Sequence, residues 1–386
     1  MGETKIEKAK ENLKSEITRN DPKDIRESSS SSIPSQPIQA NDQKPVRRLV
    51  KRPMTPEEKY KDDEQELMGA TLGISAASFA CFLLGQQMFY PFVTLSYPLD
   101  DKPGYYGKGP ADLCLSVQFI FIMLFVRAFV SRYLLYPLSR VLKVKTLKLR
   151  IRFCEQGWQL IYGALSFFVG CYLLNSNPDV AGFKEFWSTY PVIYVSRSVK
   201  LFYIVQMGFW SSQMITLFLE QKRKDFMIML SHHIVTIYLV LLGYYTHATF
   251  FGIAVHANMD AVDIFLPLSK LFKYVNFDFG VNVSFVFMFV TWIYTRHYML
   301  CRLIYSSYYE SAKYTELVWN PPVGQYWSNA MRTGVSASLF SLEILCVMWL
   351  FQIFQVIYNI IKGSGTNDVR SDDESEPLVS EKKKDE

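Results

Sequence analysis

The chain has 386 residues, with 41 Lys+Arg against 36 Asp+Glu, a formal net charge of +5 and 49% hydrophobic side chains. The charge is unevenly placed: residues 67–361 hold 22 basic and 14 acidic side chains, about 12% of that stretch, while the other 91 residues are about 45% charged. This excludes an ordinary soluble domain, in which charge stays near a quarter of residues throughout, and predicts a membrane core between two solvated tails. The basic excess of the core lies in short loops between apolar runs, so membrane topology accounts for it and nucleic acid does not. Six cysteines at irregular spacing, mostly inside apolar runs, read as small packing residues.

Residues 1–66, with an unbroken run from Ser28 to Ser32 and little apolar periodicity, are expected to form a disordered tail. No apolar stretch begins within the first 30 residues, so the first span is expected to act as the insertion signal. Lys44, Arg47, Arg48, Lys51 and Arg52 precede that span and argue for a cytosolic amino terminus. Spanning the hydrocarbon layer takes roughly 20 apolar residues as helix. Eight stretches qualify, near 67–95, 112–138, 155–174, 190–219, 227–246, 250–268, 280–305 and 334–361. The fold class is therefore all-α: a polytopic membrane protein of about eight transmembrane helices with a helical-bundle, lipid-binding core. Residues 67–138 supply the first two spans and 139–361 the remaining membrane domain. The fifth and sixth spans are joined so closely that they must be antiparallel neighbours.

Lys+Arg counts in the connections 140–152, 221–225 and 270–276 are six, three and two, against two, one and two in 100–111, 175–189 and 306–332. The basic connections set both ends of the chain in the cytosol. Residues 362–386 form an acidic tail ending Lys383-Lys384-Asp385-Glu386, which fits a two-lysine retrieval signal of endoplasmic-reticulum membrane proteins.

All five histidines fall in the core. An ionisable side chain within a span marks a functional site by default, because burial is costly unless the group is paired or hydrated. The fifth span carries His232 and His233; the sixth carries His256, Asp260 and Asp263. At 1.5 Å per helical residue the two adjacent histidines lie roughly 12–14 Å from Lys224, and the two aspartates roughly 10–15 Å from Lys270 on the same side. Four polar groups can thus share one level, and Asp260 and Asp263 share a helix face. His256 lies deeper, roughly 21 Å from Lys270. A carboxylate hydrogen-bonded to one ring nitrogen would orient the other as a general base or nucleophile for acyl transfer. A polar network gluing helices together and a zinc site of two histidines and two carboxylates are the alternatives. Arg296 and His297, near the far end of the seventh span, read as interfacial anchors. Glu343 is a lone intramembrane acid with no partner to name.

The stretches RFCEQGW (152–158), FYIVQMGFWSSQ (202–213), KRKDFMIMLSHHIVT (222–236) and MDAVDIFLPLSK (259–270) resemble the ceramide synthases, membrane N-acyltransferases, and the KGPADLC segment (108–114) points to the fungal type. Two features depart from the animal members: Met259 stands where they have histidine before the first aspartate, and their homeobox-like insert is absent. The resemblance implies transfer of a fatty acyl group from acyl-CoA to the amine of a sphingoid base, giving ceramide and CoA. It also implies catalytic roles for His232, His233, Asp260 and Asp263, with the acyl group passing either directly to the amine or through an acyl-histidine. Trp210 and Gln213 are expected to line the lipid cavity, and Lys222, Arg223 and Lys224 to meet the CoA phosphates. No metal and no cofactor beyond the co-substrate acyl-CoA are expected. The implied partners are membrane lipids, a small single-span accessory subunit and a second protomer in a homo- or heterodimer, without nucleic acid. A non-enzymatic lipid sensor or translocon-associated protein of the same fold is the alternative function.

Overall fold

The computed structural model describes residues 54–177, 180, 182–220 and 224–362. The basic cluster at 44–52 and the last residues, with their two lysines, lie outside them. Among the described residues the architecture is eight long helices: α1 (Pro56–Leu83), α2 (Asp112–Val141), α3 (Leu147–Asn175), α4 (Arg197–Leu219), α5 (Phe226–Tyr245), α6 (Thr249–Tyr274), α7 (Asp278–Tyr314) and α8 (Asn329–Ile361). Sheet is confined to a two-stranded antiparallel ribbon pairing Tyr105–Tyr106 with Val195–Ser196. The chain is a multi-pass membrane protein.

Seven of these helices are long and apolar enough to cross a membrane. The eighth expected span is α4, which is not among them. Its 23 residues give a rod of about 35 Å, but Lys200, Gln206, Ser212, Gln213 and Thr216 on its inner faces are buried, and they lower its apolarity. Residues 190–194, expected to begin this span, are not helical.

The first helix starts eleven residues before the expected span at 67, so 56–66 are not part of a disordered tail. A capping box explains the start. The Thr55 hydroxyl accepts from the amide of Glu58 at 3.2 Å, the Glu58 carboxylate accepts from the amide of Thr55 at 2.7 Å, and Pro56 opens the first turn.

α1 packs on α2, α2 on α4, α3 along both halves of α6, α4 on α5, and α7 on α6 and α8. The α5–α6 hairpin is as short as expected. His247 closes it in the left-handed region at φ 64°. Gly163 of α3 lies where an added Cβ would sit 3.1 Å from both the Cβ and the carbonyl oxygen of Asp263, so its missing side chain lets α3 and α6 approach at the level of the site. Large apolar side chains on outward faces, among them Phe168, Phe279 and Phe351, stay exposed and form the lipid-facing surface.

α7 runs on to Tyr314 instead of ending near 305, and wide π-turns interrupt it at Ile293–Met299 and Ser306–Glu310. Its continuation rests on small side chains: Ser306, Ser307 and Ser311 are fully buried, and Ser306 accepts from the Trp187 indole at 2.9 Å.

Candidate active site

Two cavities meet inside the helical unit. One is an apolar chamber, about 730 Å³ when the space at its open mouth is included, walled by α5, α6 and α8 residues such as Thr236, Leu239, Val255, Leu339 and Leu342, with Phe251 and Trp327 also in its lining. The other is a polar vestibule of about 1270 Å³, lined by Gln156, Gln213, Thr216, Asp225, His233 and Lys270 among others, at the end of the bundle that carries the basic connections. Four residues line both spaces: Trp210, His232, Asp263 and Arg296. From His232 to Thr246 along α5 the chamber is about 21 Å deep.

Of the predicted cluster, His232 and Asp263 line this junction, His233 lines the vestibule and Asp260 lines neither cavity, and the internal pairing differs from the expectation. Among the described residues no hydrogen bond joins either ring of the histidine pair to Asp260 or Asp263. His233 is instead oriented by the backbone: its Nδ1 lies 2.8 Å from the carbonyl oxygen of Met229, one turn earlier on α5. A carbonyl only accepts, so Nδ1 carries the proton and Nε2 keeps its lone pair on the vestibule side. His232 sits at the junction between the rings of Trp210, His233 and Trp349, with centroids 5.5–5.6 Å away, and its Nδ1 is buried without a partner.

The carboxylates part company. Asp263 lines both cavities and forms an ion pair with Arg296 at 3.3 Å. Asp260 turns toward α3, accepts from the Ser166 hydroxyl at 2.5 Å, and joins a buried chain in which Gln206 donates to Ser166 and Tyr162 donates to Gln206 at 3.2 Å. The physical reason is local. Ser166 and Gln206 place polar atoms against the α6 face that carries Asp260, whereas Asp263, three residues on, falls beside α7.

Arg296 and His297 are not interfacial anchors. Arg296 is 5% exposed and sits at the midpoint of the 37-residue α7, where its Nη2 donates to the carbonyl of Met259 at 2.7 Å as well as to Asp263. His297 pairs with Glu343 of α8 at 2.6 Å, which supplies the partner that the sequence left unnamed. Both residues were misplaced because the span was expected to end near 305, and because arginine's long stem carries its charge away from the level of its own Cα.

Trp210 lines both cavities, whereas Gln213, expected in the lipid cavity, lines the vestibule alone. The Oε1 atom of Gln213 and the hydroxyl of Thr216, one turn on, are buried there without hydrogen-bond partners. Lys224 is exposed beside the vestibule residue Asp225, while Lys222 and Arg223 lie outside the described residues. His256 is buried in the chamber wall, its ring edge-on to Phe202. Among the described residues no three His, Cys, Asp or Glu side chains are grouped to hold a metal ion.

At the opposite end of the bundle a second buried polar cluster locks the helices. Lys200, fully buried, forms an ion pair with Asp112 at 2.7 Å and donates to the carbonyls of Ser96 and Gly107 at 2.7 and 2.8 Å. Lys108 donates to the carbonyl of Val192 at 2.8 Å and to Thr249 Oγ1 at 2.5 Å, and lies 3.3 Å from Nδ1 of His247. Burial, with Lys200 nearby, holds the Lys108 ammonium well below the usual lysine range. Burial and the Lys108 charge together push His247 down to about 4.

Buried histidines thus face a joint between a vestibule and an apolar chamber inside a multi-pass membrane protein. Residues 152–355 match the TLC domain, the family of TRAM, LAG1 and CLN8 proteins, and the chain belongs to that family. It is similar to the sphingosine N-acyltransferase lag1 of Schizosaccharomyces pombe, at 33% identity over 79% of this chain and 78% of the relative. The ceramide synthase LAG1 of Saccharomyces cerevisiae is 32% identical over 77% of this chain and 74% of its own length. The ceramide synthase FUM18 of Gibberella moniliformis is 29% identical over 72% and 71%. On these relatives the protein is an acyltransferase of the fungal ceramide-synthase type.

Proposed function

We propose that the protein transfers a fatty acyl group from acyl-CoA to the amine of a sphingoid base, giving ceramide and free CoA. The observation that carries this reading is the meeting of the two cavities at Trp210, His232, Asp263 and Arg296. The apolar chamber takes a hydrocarbon chain out of water, the vestibule takes a polar head, and the bond to be exchanged falls at the joint. A long-chain thioester and a long-chain amine are substrates of that shape, and the names of the relatives favour them.

In this reading His233 is the general base. The amine of a sphingoid base is largely protonated at neutral pH and must shed a proton to attack the thioester carbon, and Nε2 of His233 is held with its lone pair on the vestibule side. His232 faces the reacting carbonyl at the joint. Asp263 and Asp260 act at one remove: Asp263 fixes Arg296, and Asp260 ties α6 to α3 and α4 through Ser166 and Gln206. Gln213 and Trp210 hold the polar head of the substrate, and the basic segment Lys222, Arg223 and Lys224 meets the CoA phosphates at the mouth. Acyl-CoA is a co-substrate, and the transfer asks for no further cofactor. The basic connections support a topology with both termini in the cytosol, and the family resemblance extends the reading to the endoplasmic-reticulum membrane. The family resemblance extends the reading to a single-span accessory subunit and a dimer.

The test is N-acylation by the purified protein with dihydrosphingosine and acyl-CoAs of graded chain length, comparing wild type with His233→Ala and Asp260→Asn. Ceramide formed by the wild type and abolished in a folded His233→Ala variant supports the reading. A folded wild type that forms no ceramide even with an accessory subunit added leaves a lipid sensor of the same fold as the better account.

A further inference from the structure

The mechanism above leaves one buried charge at the joint without a task in the chemistry. Arg296 is the only cation among the four residues that line both cavities. Asp263 and the carbonyl of Met259 engage its Nη2, while Nε is buried without a partner. The third nitrogen, Nη1, donates to no nitrogen or oxygen atom among the described residues and is not sealed from the cavity, and the guanidinium also meets the thiol of Cys346. A guanidinium held this way, over the Trp292 ring at 5.4 Å and against Asp263, is fixed in direction before any substrate arrives. Charge neutralisation alone would need only the contact with Asp263. An open, pre-aimed donor on the cavity side is what a developing negative oxygen needs, because it costs no reorganisation when the charge appears.

We propose that Arg296 is a further catalytic residue, whose Nη1 hydrogen-bonds the thioester oxygen and carries its negative charge in the tetrahedral intermediate. The inference rests on the acyl-transfer reading. Whichever nucleophile attacks, its lone pair forms the new bond to the carbonyl carbon and the C=O π pair moves onto oxygen, where Arg296 holds it. When the carbonyl re-forms, the C–S bond breaks and the pair leaves on sulfur. An ammonium substrate loses two protons in all: the one shed before attack leaves to water through the vestibule, and the one lost from the nitrogen as the amide forms passes through His233 to the CoA thiolate, so charge and protons balance. Asp263 acts through Arg296 as a positioning residue, keeping the guanidinium from swinging away toward the vestibule.

Steady-state kinetics of Arg296→Gln and Arg296→Lys test this, each with an ordinary acyl-CoA and with its 2-fluoro analogue, whose electron-poor carbonyl needs less help to accept charge. Arg296→Gln is expected to lower kcat by about 10²–10³-fold, the usual effect of removing one oxyanion donor, with KM for acyl-CoA nearly unchanged. The deficit should shrink by at least roughly tenfold with the fluorinated substrate. Arg296→Lys keeps the charge beside Asp263 and should show a smaller deficit with the same narrowing; if the glutamine variant does not fold, the lysine variant carries the test. Wild-type kcat in a folded variant, an effect on KM alone, or a deficit identical for both substrates would each overturn the proposal. An active wild type with such variants sinks this inference and leaves the acyltransferase reading standing. An inactive wild type removes both.

Discussion

Removing the carboxylate of Asp112 should unlatch the end of the bundle opposite the vestibule. Lys200 is completely buried, and its ammonium is divided among Asp112 at 2.7 Å, the carbonyl of Ser96 at 2.7 Å and that of Gly107 at 2.8 Å. Asp112 is equally committed, accepting at Oδ2 from the Tyr244 hydroxyl at 2.9 Å and the Gly109 amide at 3.0 Å. Asp112→Asn keeps the shape but leaves a positive charge sealed from water with only carbonyl dipoles to face it. Breaking one side of a buried pair costs about 3–5 kcal/mol. At a few degrees per kcal/mol for a large chain, the midpoint of thermal unfolding should fall by roughly 5–15 °C. Fluorescence-monitored unfolding in detergent reads this directly. The double variant Asp112→Leu with Lys200→Met, which removes both charges, should recover most of the loss. An Asp112→Asn midpoint within about 2 °C of wild type, or a double variant no better than the single, would refute the argument.

Three further outcomes are expected. Ser166→Ala should cost about 1–3 kcal/mol of stability by leaving Asp260 short of a donor, yet lower kcat far less than His233→Ala, for which loss of a general base predicts about 10²–10⁴-fold; unfolding and turnover measured on the same samples separate the two. Gln213→Leu should raise KM for the sphingoid base by roughly tenfold, the worth of one hydrogen bond, without changing KM for acyl-CoA. Because His247 titrates near 4 when folded and near 6.5 when unfolded, the unfolded chain binds the extra proton over that window. Stability should be full above about pH 6.5 and fall by up to about 3 kcal/mol as the pH drops toward 4. His247→Asn, which cannot place a second cation against Lys108, should flatten that profile in unfolding measured against pH.

The hydrophobic runs were enough to find α2, α3, α5, α6 and α8, because a lipid-facing helix must be apolar over a full crossing. The histidine pair and the two aspartates were equally legible, since charge inside a span stands out against its surroundings. What the runs concealed is instructive. Arg296 looked peripheral because the stretch SSYYESAKY after Tyr305 contains no apolar period. Its helix is held by buried serines packed under Trp187, and burial of small polar residues leaves no trace in a hydropathy pattern. α4 falls short as an apolar helix for the same reason, its polar side chains being buried among its neighbours. The start of α1 was open to reading: Thr55-Pro56-Glu57-Glu58 carries both capping residues and the N-terminal proline. Depth counting brought the four site residues to one level but not to their partners, which come from α3 and α7 and depend on packing between distant segments.

Among the described residues the two cavities share four wall residues and no others. Every other described wall position lines one cavity or the other, so in the proposed reading the walls are separable variables: changes at Leu339, Leu342 or the α5–α6 hairpin alter which hydrocarbon fits without touching the polar head, and changes at Gln213 or Thr216 do the reverse. A fold built this way can change one cavity at a time. The four shared positions are where it has no such freedom, because a side chain changed there is felt by both partners in the reaction at once.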